Sequence, residues 1–295
     1  MTVRRAVFAN RWLPYLLVLP QVLVTVVFFF WPAAKSFYLS VFKSPPFGGR
    51  DIFVGLENFL ALVASPEYYD SVVNSFVFAG GVTGLSVLGG LVVAALANQK
   101  IRGLALYRTA VLWPYGIAPA ISGIIFLFMF HPAYGILPYF LSFVTAYEFN
   151  WLLRGWIAMV LVITATAWTH LGYNIAFFLA GLQAIPASVI EAASVDGAGA
   201  VRRFTAIVVP LISPITFYLV IVNMVFAFFG SFQVIHAVTL GGPGNATEIM
   251  VYKLWKDGFI GLDLGSSAAQ SVILMAMVIG LTVLQFRFVE KKVTY

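Results

Sequence analysis

Six stretches of the chain are long enough to cross a membrane and contain no Asp, Glu, Lys or Arg. They cover residues 13–34, 71–99, 109–147, 155–190, 204–247 and 264–286. A bilayer core is ~30 Å thick, and a helix needs about 20 apolar residues to span it. The strands of a membrane barrel alternate in polarity and are about ten residues long, so a barrel is excluded. We therefore predict an all-α membrane protein with six transmembrane helices.

Prolines limit where these helices can end. Pro132 is expected to close the third helix after His131, and Pro186 to end the region of the fourth, because the residue before a proline is biased away from helical backbone. The predicted spans are 13–34, 72–98, 109–131, 156–181, 210–233 and 265–287. Together they form one transmembrane domain, residues 13–290, with short tails at 1–12 and 291–295.

Basic residues are distributed unevenly among the segments between the spans. Eleven of the 17 lie at the two chain ends, between the second and third spans and in the 182–209 loop, whereas six lie in the other three loops. Cytoplasmic segments carry the excess of Lys and Arg in membrane proteins. We therefore predict that both termini and the 182–209 loop are cytoplasmic. The net charge of +6 then reflects topology, and no nucleic-acid partner is expected.

Missing residue types exclude several classes of function. The chain has no cysteine, which excludes disulfide scaffolds, thiolate catalysis and Cys-ligated metal sites. The interiors of the predicted spans hold no carboxylate or basic residue, which argues against ion-coupled carriers, pumps and intramembrane proteases. No G-x-x-x-x-G-K-[ST] loop occurs, so the chain does not bind ATP by that route. We predict no catalytic residue, no metal site and no cofactor held by this chain.

Uncharged polar side chains inside the spans form two local groups. His170, Tyr173 and Asn174 lie together in the fourth span, and Asn223 and Gln233 lie about three helical turns apart in the fifth. One interpretation is that these residues hydrogen-bond between helices. The other is that they line a wetted path for a polar solute. The sequence leaves both interpretations open.

Residues 188–198 are predicted to form a short helix with signals at both ends. Ser188 and Glu191 have the spacing of a capping box, in which each side chain bonds the backbone N–H of the other residue. Gly197 offers a left-handed C-terminal cap after about two turns. Ala192 and Ala193 are small enough for another surface to approach closely. From capping alone, an interfacial amphipathic helix is the simpler explanation of this segment.

The spacing within residues 191–210 resembles the EAA signature of ABC-importer permeases. A valine at position 209 stands where that family usually has leucine. The positions that match the signature are Glu191, Ala192, Ala193, Gly197, Ile207 and Pro210, and Val209 keeps an apolar residue at the departing position. The triplet Asp196, Gly197 and Ala198 is typical of the carbohydrate-type branch of the family.

Segments outside the signature are similar to the same branch. Residues 11–17, 53–59 and 241–243 are typical of sugar permeases. The segments that resemble the first permease subunit of sn-glycerol-3-phosphate importers are residues 258–264, 266–271 and 285–290. The resemblance covers essentially the whole chain.

The resemblance implies an ABC-importer permease fold in which residues 182–209 form a cytoplasmic coupling loop. The expected location is the bacterial inner (cytoplasmic) membrane. The chain would cross this membrane several times, in contact with its lipid. The implied partners are a second homologous permease subunit, two ATP-binding subunits that hold ATP and Mg, and an extracytoplasmic solute-binding protein. The chain itself would not be an enzyme.

The resemblance also assigns roles to particular residues. The residues implied to couple to the ATPase are Glu191, Ala192, Ala193, Asp196, Gly197 and Ala198. The candidate residues of a translocation path are His170, Tyr173, Asn174, Asn223 and Gln233. A stand-alone passive facilitator or a membrane scaffold would also fit six neutral spans, but neither gives a reason for a helix with the EAA spacing.

The implied solute is sn-glycerol 3-phosphate, with glycerophosphodiesters, sugars or oligosaccharides as alternatives. A phosphomonoester carries about two negative charges near neutral pH, yet the span interiors offer no Lys or Arg. We therefore hypothesise that the binding protein recognises the phosphate and that this subunit supplies a neutral polar path. Lys253 and Lys256, outside the predicted spans, would steer the anion or meet the binding protein. The alternative is that both are solvated loop lysines.

Overall fold

The computed structural model describes residues 12–45, 49–99, 103–144 and 149–288. The predicted tails, 1–12 and 291–295, lie outside these ranges except for Trp12, and so do the basic residues Lys100 and Arg102. The described chain is almost entirely helical and divides into two units.

The first unit comprises the described residues up to Ala64 together with Asp257–Val272. Its elements before Ala64 are α1 (Leu13–Thr25), α2 (Trp31–Ser40), β1 (Phe42–Lys43), β2 (Ile52–Phe53) and α3 (Glu57–Ala64). A π-helical segment, Val26–Phe30, joins α1 to α2, so that the chain is helical from Leu13 to Ser40.

The two short strands are a departure from the predicted all-α class. They pair in antiparallel register with Phe42 opposite Phe53. The Asn58 side chain of α3 donates hydrogen bonds to the carbonyls of Ser40 and Phe42, at 2.9 and 3.0 Å. The last carbonyls of a helix lack partners within the helix. The Asn58 amide therefore satisfies the end of α2 and ties α3 to the strands.

The second unit comprises Ser65–Lys256 and the described residues from Ile273 onward. Helix α15 (Leu264–Phe288) begins in the first unit and continues into the second. The other helices of this unit are α4 (Pro66–Ala97), α5 (Leu104–Leu112), α6 (Pro119–Phe130), α7 (Ile136–Val144), α8 (Gly155–Ala184), α9 (Ala187–Val195), α10 (Ala200–Arg203), α11 (Val209–Leu211), α12 (Ser213–Phe229), α13 (Phe232–Val238) and α14 (Met250–Trp255). Its 3-10 segment is Trp113–Gly116 and its π segment is Phe204–Val208, while a further π segment, Lys256–Ile260, continues from Lys256 into the first unit.

Within the described residues, four helical runs are long and apolar enough to cross a membrane. They are Leu13–Ser40, Pro66–Ala97, Gly155–Ala184 and Leu264–Arg287. Two bent pairs, Ala105–Gly116 with Pro119–Phe130 and Ala200–Leu211 with Ser213–Phe229, bring the number to six if each pair is one span. The six-helix fold class therefore holds, but two of its spans are broken.

The predicted spans 109–131 and 210–233 are not single straight helices, because prolines interrupt both. The first pair bends by 102° where Ala118, which precedes Pro119, is extended with ψ 136°. The second bends by 67° at Ile212, two residues before Pro214. Helix α12 then ends at Phe229, and α13 begins only at Phe232. Helix α6 stops at Phe130, before an extended His131, next to the Pro132 that was expected to close the third helix.

The core of the second unit lies where α4, α8 and α12 pack together. Glycines of α4 allow α8 to approach closely: a Cβ at Gly90 would lie 2.6 Å from the Cβ of Asn174, and one at Gly81 would lie 2.8 Å from the Cδ1 of Ile163. At these two positions the small residue is what lets the membrane helices pack closely. The buried residues of this core are Val87, Ala94, Ala97, Ile175, Phe178, Leu179, Leu182, Ile212 and Leu219.

Candidate functional site

Helix α9 forms the predicted short helix, but its start differs from the prediction. The N–H of Val189 donates to the carbonyl of Pro186 at 3.1 Å, so the helix begins at Ala187. Ser188 therefore lies inside the first turn, too late to cap it, and no side chain caps this end. The predicted capping box between Ser188 and Glu191 is wrong. Pro186 sets the boundary instead, because Ile185 before it is extended.

The C-terminal end of α9 confirms the prediction for Gly197. Its φ is +80°, in the left-handed region that glycine adopts at low cost. The N–H of Ala198 donates to the carbonyl of Ala193 at 3.0 Å, and the N–H of Gly197 donates to that of Ser194 at 3.1 Å. This pair of bonds is a Schellman motif. A further bond of 2.8 Å, from the Arg203 guanidinium to the Ala198 carbonyl, holds the next turn against this cap.

Most of the α9 surface is exposed. Glu191, Ala192, Asp196 and Gly197 are exposed, and Val195, at the end of the helix, is 88% exposed. Among the residues that the structure describes, no Lys or Arg pairs with Glu191.

Two of the predicted coupling residues are not fully exposed. Ala193 is the one buried residue of α9, and Ala198 after the cap is half-buried. The helix is thus anchored along one side and presents the rest of its surface to the outside, including the Glu191 carboxylate, which has no ion-pair partner among the described residues.

Three of the polar residues predicted inside the spans meet between α8 and α12. We call His170, Asn174 and Asn223 the amide network. The Asn223 Oδ1 accepts from His170 Nδ1 at 2.9 Å and from Asn174 Nδ2 at 3.1 Å. The Asn223 Nδ2 in turn donates to Asn174 Oδ1 and to the carbonyl of Leu219, each at 2.7 Å.

The amide network is buried, and its amide groups bond one another and nearby backbone carbonyls. Asn174 and Asn223 are fully buried, and His170 is nearly so. Asn174 Nδ2 also donates to the carbonyl of His170 at 3.0 Å, so both amides use all their N–H and carbonyl groups. The amide oxygen of Asn223 can only accept, which assigns the proton of His170 to Nδ1. These residues therefore join two helices, as in the first of the two interpretations.

The fifth candidate for the path, Gln233, does not join the amide network. The predicted continuous fifth span is interrupted by Gly230 and Ser231, and Gln233 lies on the exposed side of α13. Helix α13 packs on α6, where a Cβ at Gly123 would lie 2.8 Å from the Cβ of Ala237. The spacing between Asn223 and Gln233 is therefore not a helical spacing.

Tyr173 belongs to a different surface, which we call the aromatic face: Tyr115, Tyr173, Phe177 and Tyr218. Consecutive ring centroids lie 5.6, 4.7 and 5.2 Å apart, and the hydroxyls of Tyr173 and Tyr218 are 2.7 Å apart. Tyr115, Phe177 and Tyr218 are at least one-third exposed. Sequence reasoning missed these three because aromatic residues are common in spans. The four-residue spacing from Tyr173 to Phe177, which puts both on one helix side, was the available signal.

The structure places Lys253 within α14 and Lys256 directly after it, and both lie beside Glu248. Lys256 Nζ lies 2.6 Å from Glu248 Oε2, and Lys253 Nζ lies 3.9 Å from Glu248 Oε1. The side chains of Glu248 and Lys253 are 4% and 11% exposed. The expectation of a solvated loop lysine is wrong for Lys253, because this residue lies in α14 and is buried beside a carboxylate. Its roles in steering the anion or meeting the binding protein stay predictions. Lys256 pairs with the same carboxylate and is 41% exposed, so its steering role stays a prediction.

The part of the chain that the structure describes contains no group of three His, Asp or Glu residues placed to hold a metal ion. The arrangement brings together helix-joining hydrogen bonds, a partly exposed aromatic surface and an exposed short helix. These features suit the binding and movement of partners more than a chemical reaction.

The comparison with known proteins matches this architecture. Residues 86–295 match the family described as "Binding-protein-dependent transport system inner membrane component". Two curated relatives carry the name "sn-glycerol-3-phosphate transport system permease protein UgpA". The one from Rhizobium meliloti (strain 1021) is 52% identical, with 99% of each chain covered. The one from Pectobacterium atrosepticum is 49% identical, with 100% of each chain covered.

Two solved structures share the fold. A bacterial ABC transporter involved in the import of the acidic polysaccharide alginate has a chain with a TM-score of 0.80 at 19% identity, covering 94% of this chain and 96% of that one. The alginate transporter in complex with alginate pentasaccharide-bound periplasmic protein gives 0.79 at 18% identity, covering 93% and 92%.

Proposed function

The chain belongs to the family of binding-protein-dependent transport system inner membrane components, and from that premise we propose that it is the permease subunit of an ATP-driven ABC importer for sn-glycerol 3-phosphate. The observation that carries the proposal is the 52% identity, over nearly the whole length of both chains, with a relative named as the permease of such a system. The chain is a non-catalytic membrane subunit. Two partner subunits would bind ATP with Mg and hydrolyse it.

In this proposal α9 is the coupling helix, and it docks on an ATP-binding subunit. Its exposed surface and unpaired Glu191 support this role, because a carboxylate and small side chains suit a close-packed, charge-complementary contact. The Schellman cap and the bond from Arg203 to the Ala198 carbonyl tie α9 to the following segment. Closure of the ATPase pair would then move α9 as a rigid piece and shift the permease between inward-facing and outward-facing states.

The amide network would transmit this movement of α9 to the packed helices α12 and α8. The chain runs from α9 through α10 and α11 into α12, and Asn223 of α12 is hydrogen-bonded to two residues of α8. A displacement of α12 would therefore be shared by α8. We propose that the aromatic face, whose Tyr173 and Phe177 lie on α8 and whose Tyr218 lies on α12, forms part of the solute path together with a second, homologous permease subunit. Its hydroxyls can donate hydrogen bonds to glycerol or phosphate oxygens.

The proposed orientation follows the distribution of basic residues. The 182–209 loop and both termini would face the cytoplasm of a bacterial inner membrane, as the positive-inside rule requires. An extracytoplasmic binding protein would deliver the solute on the other side. The alginate transporter solved with a periplasmic protein supports this arrangement at the level of the fold.

Reconstitution tests the proposed function. The chain would be purified with the second permease and the ATP-binding subunits, placed in lipid nanodiscs, and assayed for ATP hydrolysis with the binding protein. We expect binding protein loaded with sn-glycerol 3-phosphate to stimulate hydrolysis, and proteoliposomes to take up the same solute. The control is unloaded binding protein.

Other outcomes would change the proposal in defined ways. Stimulation by a sugar or a glycerophosphodiester but not by sn-glycerol 3-phosphate would keep the importer and replace the solute. Flux without ATP or binding protein would indicate a facilitator. A complex that moves no tested solute under any condition would contradict the transport function.

A further inference from the structure

Helix α7 carries an apolar stripe on the side that faces away from the rest of the described chain. Five large side chains recur along this side at helical spacing, and each is more than half exposed. They are Ile136, Tyr139, Phe140, Phe143 and Val144, and we call them the α7 stripe. No residue of α7 is buried. A surface helix of a soluble protein turns such a stripe toward the core, so α7 is suited to surroundings other than water.

The chemistry of α7 offers a partner almost no polar contact. Its side chains carry two polar groups, the hydroxyls of Tyr139 and Ser142. The Ser142 hydroxyl donates to the Tyr139 carbonyl at 2.7 Å, so it is already used within the helix. Residues 109–147 contain no charged side chain, and this run continues well past the end of α6 at Phe130. An exposed apolar surface of this kind marks a contact with a membrane or with another protein.

Two hydrogen bonds fix the level of α7 relative to the neighbouring spans. The Trp151 indole, just before the start of α8, donates to the carbonyl of Phe130 at the end of α6, at 2.9 Å. The ends of the two spans therefore lie at the same level. The Gly135 N–H donates to the His131 carbonyl at 2.7 Å, and the ring of Tyr134 stacks on that of His131 at 3.7 Å. Helix α7 thus begins within about one turn of the end of α6, at the boundary of the membrane.

The surroundings of α7 indicate which partner covers the stripe. Exposed apolar side chains of α6 continue toward α7: Phe128 is 58% exposed, and its ring lies 6.1 Å from that of Tyr134. Trp and Tyr are enriched at the bilayer boundary, and Trp156 at the start of α8 is 63% exposed. The stripe gives a soluble protein no charge to pair with. A binding protein that leaves in each cycle would also return the stripe to water. These observations favour lipid as the occupant.

We propose that α7 is an interfacial helix and that its stripe lies among the headgroups and upper acyl chains of the leaflet at the outer ends of α6 and α8. Helices of this type lie in the membrane plane with their apolar side ~5–10 Å deep. Helix α7 then anchors the connection between the third and fourth spans to the membrane surface. The inference goes beyond the proposed function, since it rests on the membrane location and not on the solute.

A fluorescent label on the stripe tests the proposal in the assembled transporter. The chain has no cysteine, so Phe143→Cys supplies one thiol for an environment-sensitive fluorophore in nanodiscs with cysteine-free partner subunits. We expect lipid that carries a nitroxide near its headgroup to quench the label, and aqueous iodide to have little effect. The control is Glu67→Cys, at an exposed position in the first turn of α4, where iodide should cause the larger loss of fluorescence.

Three results would overturn the proposal. Stronger quenching by iodide than by nitroxide lipid at position 143 would place the stripe in water. Loss of lipid quenching when the second permease subunit assembles would identify that subunit as the occupant. The same loss on addition of loaded binding protein would identify a docking surface.

A second label position keeps the test independent of one variant. Val144→Cys lies at the most exposed position of the stripe and should give the same order of quenching if Phe143→Cys does not assemble. Failure of the proposed function would show as absent transport by the wild type. Wild-type transport combined with iodide quenching at both stripe positions would leave the proposed function intact and contradict only the interfacial helix.

Discussion

The amide network and helix α9 lie in the same unit of the molecule, but the polar side chains of the network are buried and hydrogen-bonded, whereas Glu191 of α9 is exposed. His170, Asn174 and Asn223 are buried, and each amide group there has a partner within the chain. Glu191 on α9 is exposed and has no ion-pair partner among the described residues. The residue type of a polar side chain in a membrane protein therefore does not by itself indicate its function. A better indication is whether the chain itself supplies a hydrogen-bond or ion-pair partner for that side chain.

The physical reason is the cost of leaving a polar group unpaired. Inside an apolar core a lost partner costs about 1–3 kcal/mol, whereas at an exposed site water replaces the partner. The amide network is thus expected to control stability, and α9 is expected to control association. The three substitutions below test this difference, from the largest effect on stability to the smallest.

Asn223→Leu removes the centre of the amide network. It leaves His170 Nδ1 and both groups of the Asn174 amide without their Asn223 partners, and we expect a loss of about 2–4 kcal/mol in the free energy of unfolding. Denaturation in detergent would measure it. Gln233→Leu is the matched control, since it removes an exposed amide and should change stability by less than about 0.5 kcal/mol. Equal effects of the two substitutions would contradict the closed network.

Gly197→Ala places a side chain where φ is +80°. Nothing lies within 4 Å of the added Cβ, so the cost is the left-handed backbone alone, about 1–2 kcal/mol, and it falls on the α9 cap. We expect weaker binding of the ATP-binding subunits with membrane insertion intact. Gly199→Ala is the control, because Gly199 has φ −66° and equal space around its Cβ. ATPase stimulation as in the wild type would argue against α9 as the coupling helix.

Ala192→Leu enlarges an exposed residue of α9. We expect a change in stability of less than about 0.5 kcal/mol and a clear loss of ATPase binding in the same preparation. Ala193→Leu provides the contrast, because Ala193 is buried and overpacking costs typically about 1–3 kcal/mol. Thermal melts and a binding titration on both variants would separate the two effects. Unchanged binding by Ala192→Leu would remove this surface from the proposed contact.

Several features of the fold follow from signals within a few residues in the chain. The long charge-free runs indicate the membrane helices, the proline after His131 ends α6, and Gly197 takes the left-handed cap that its position requires. Pro119 and Pro214 also lie at the bends that break two spans. The sequence prediction did not use them in that way, although the bias of a residue before proline makes such bends foreseeable at Ala118.

Other features depend on contacts that the local sequence pattern does not reveal. Ser188 had the spacing of a cap, but the N-cap residue is Pro186, so the helix begins at Ala187, two residues earlier than predicted. Lys253 was expected in a solvated loop, yet its carboxylate partner Glu248 is buried with it. Nothing in the local spacing of Tyr218 indicates that its hydroxyl meets that of Tyr173.

The sequence by itself determined that this chain is helical, that it can cross a membrane about six times, and that a short capped helix with the EAA spacing follows the fourth span. Hydrophobic runs, prolines and glycines act through the local backbone, so these features need no knowledge of distant contacts. Only the tertiary structure decided which polar residues are satisfied within the chain and which remain free, because a hydrogen bond between α8 and α12 requires the packing of both helices. The free groups on α9 are the ones left for partners.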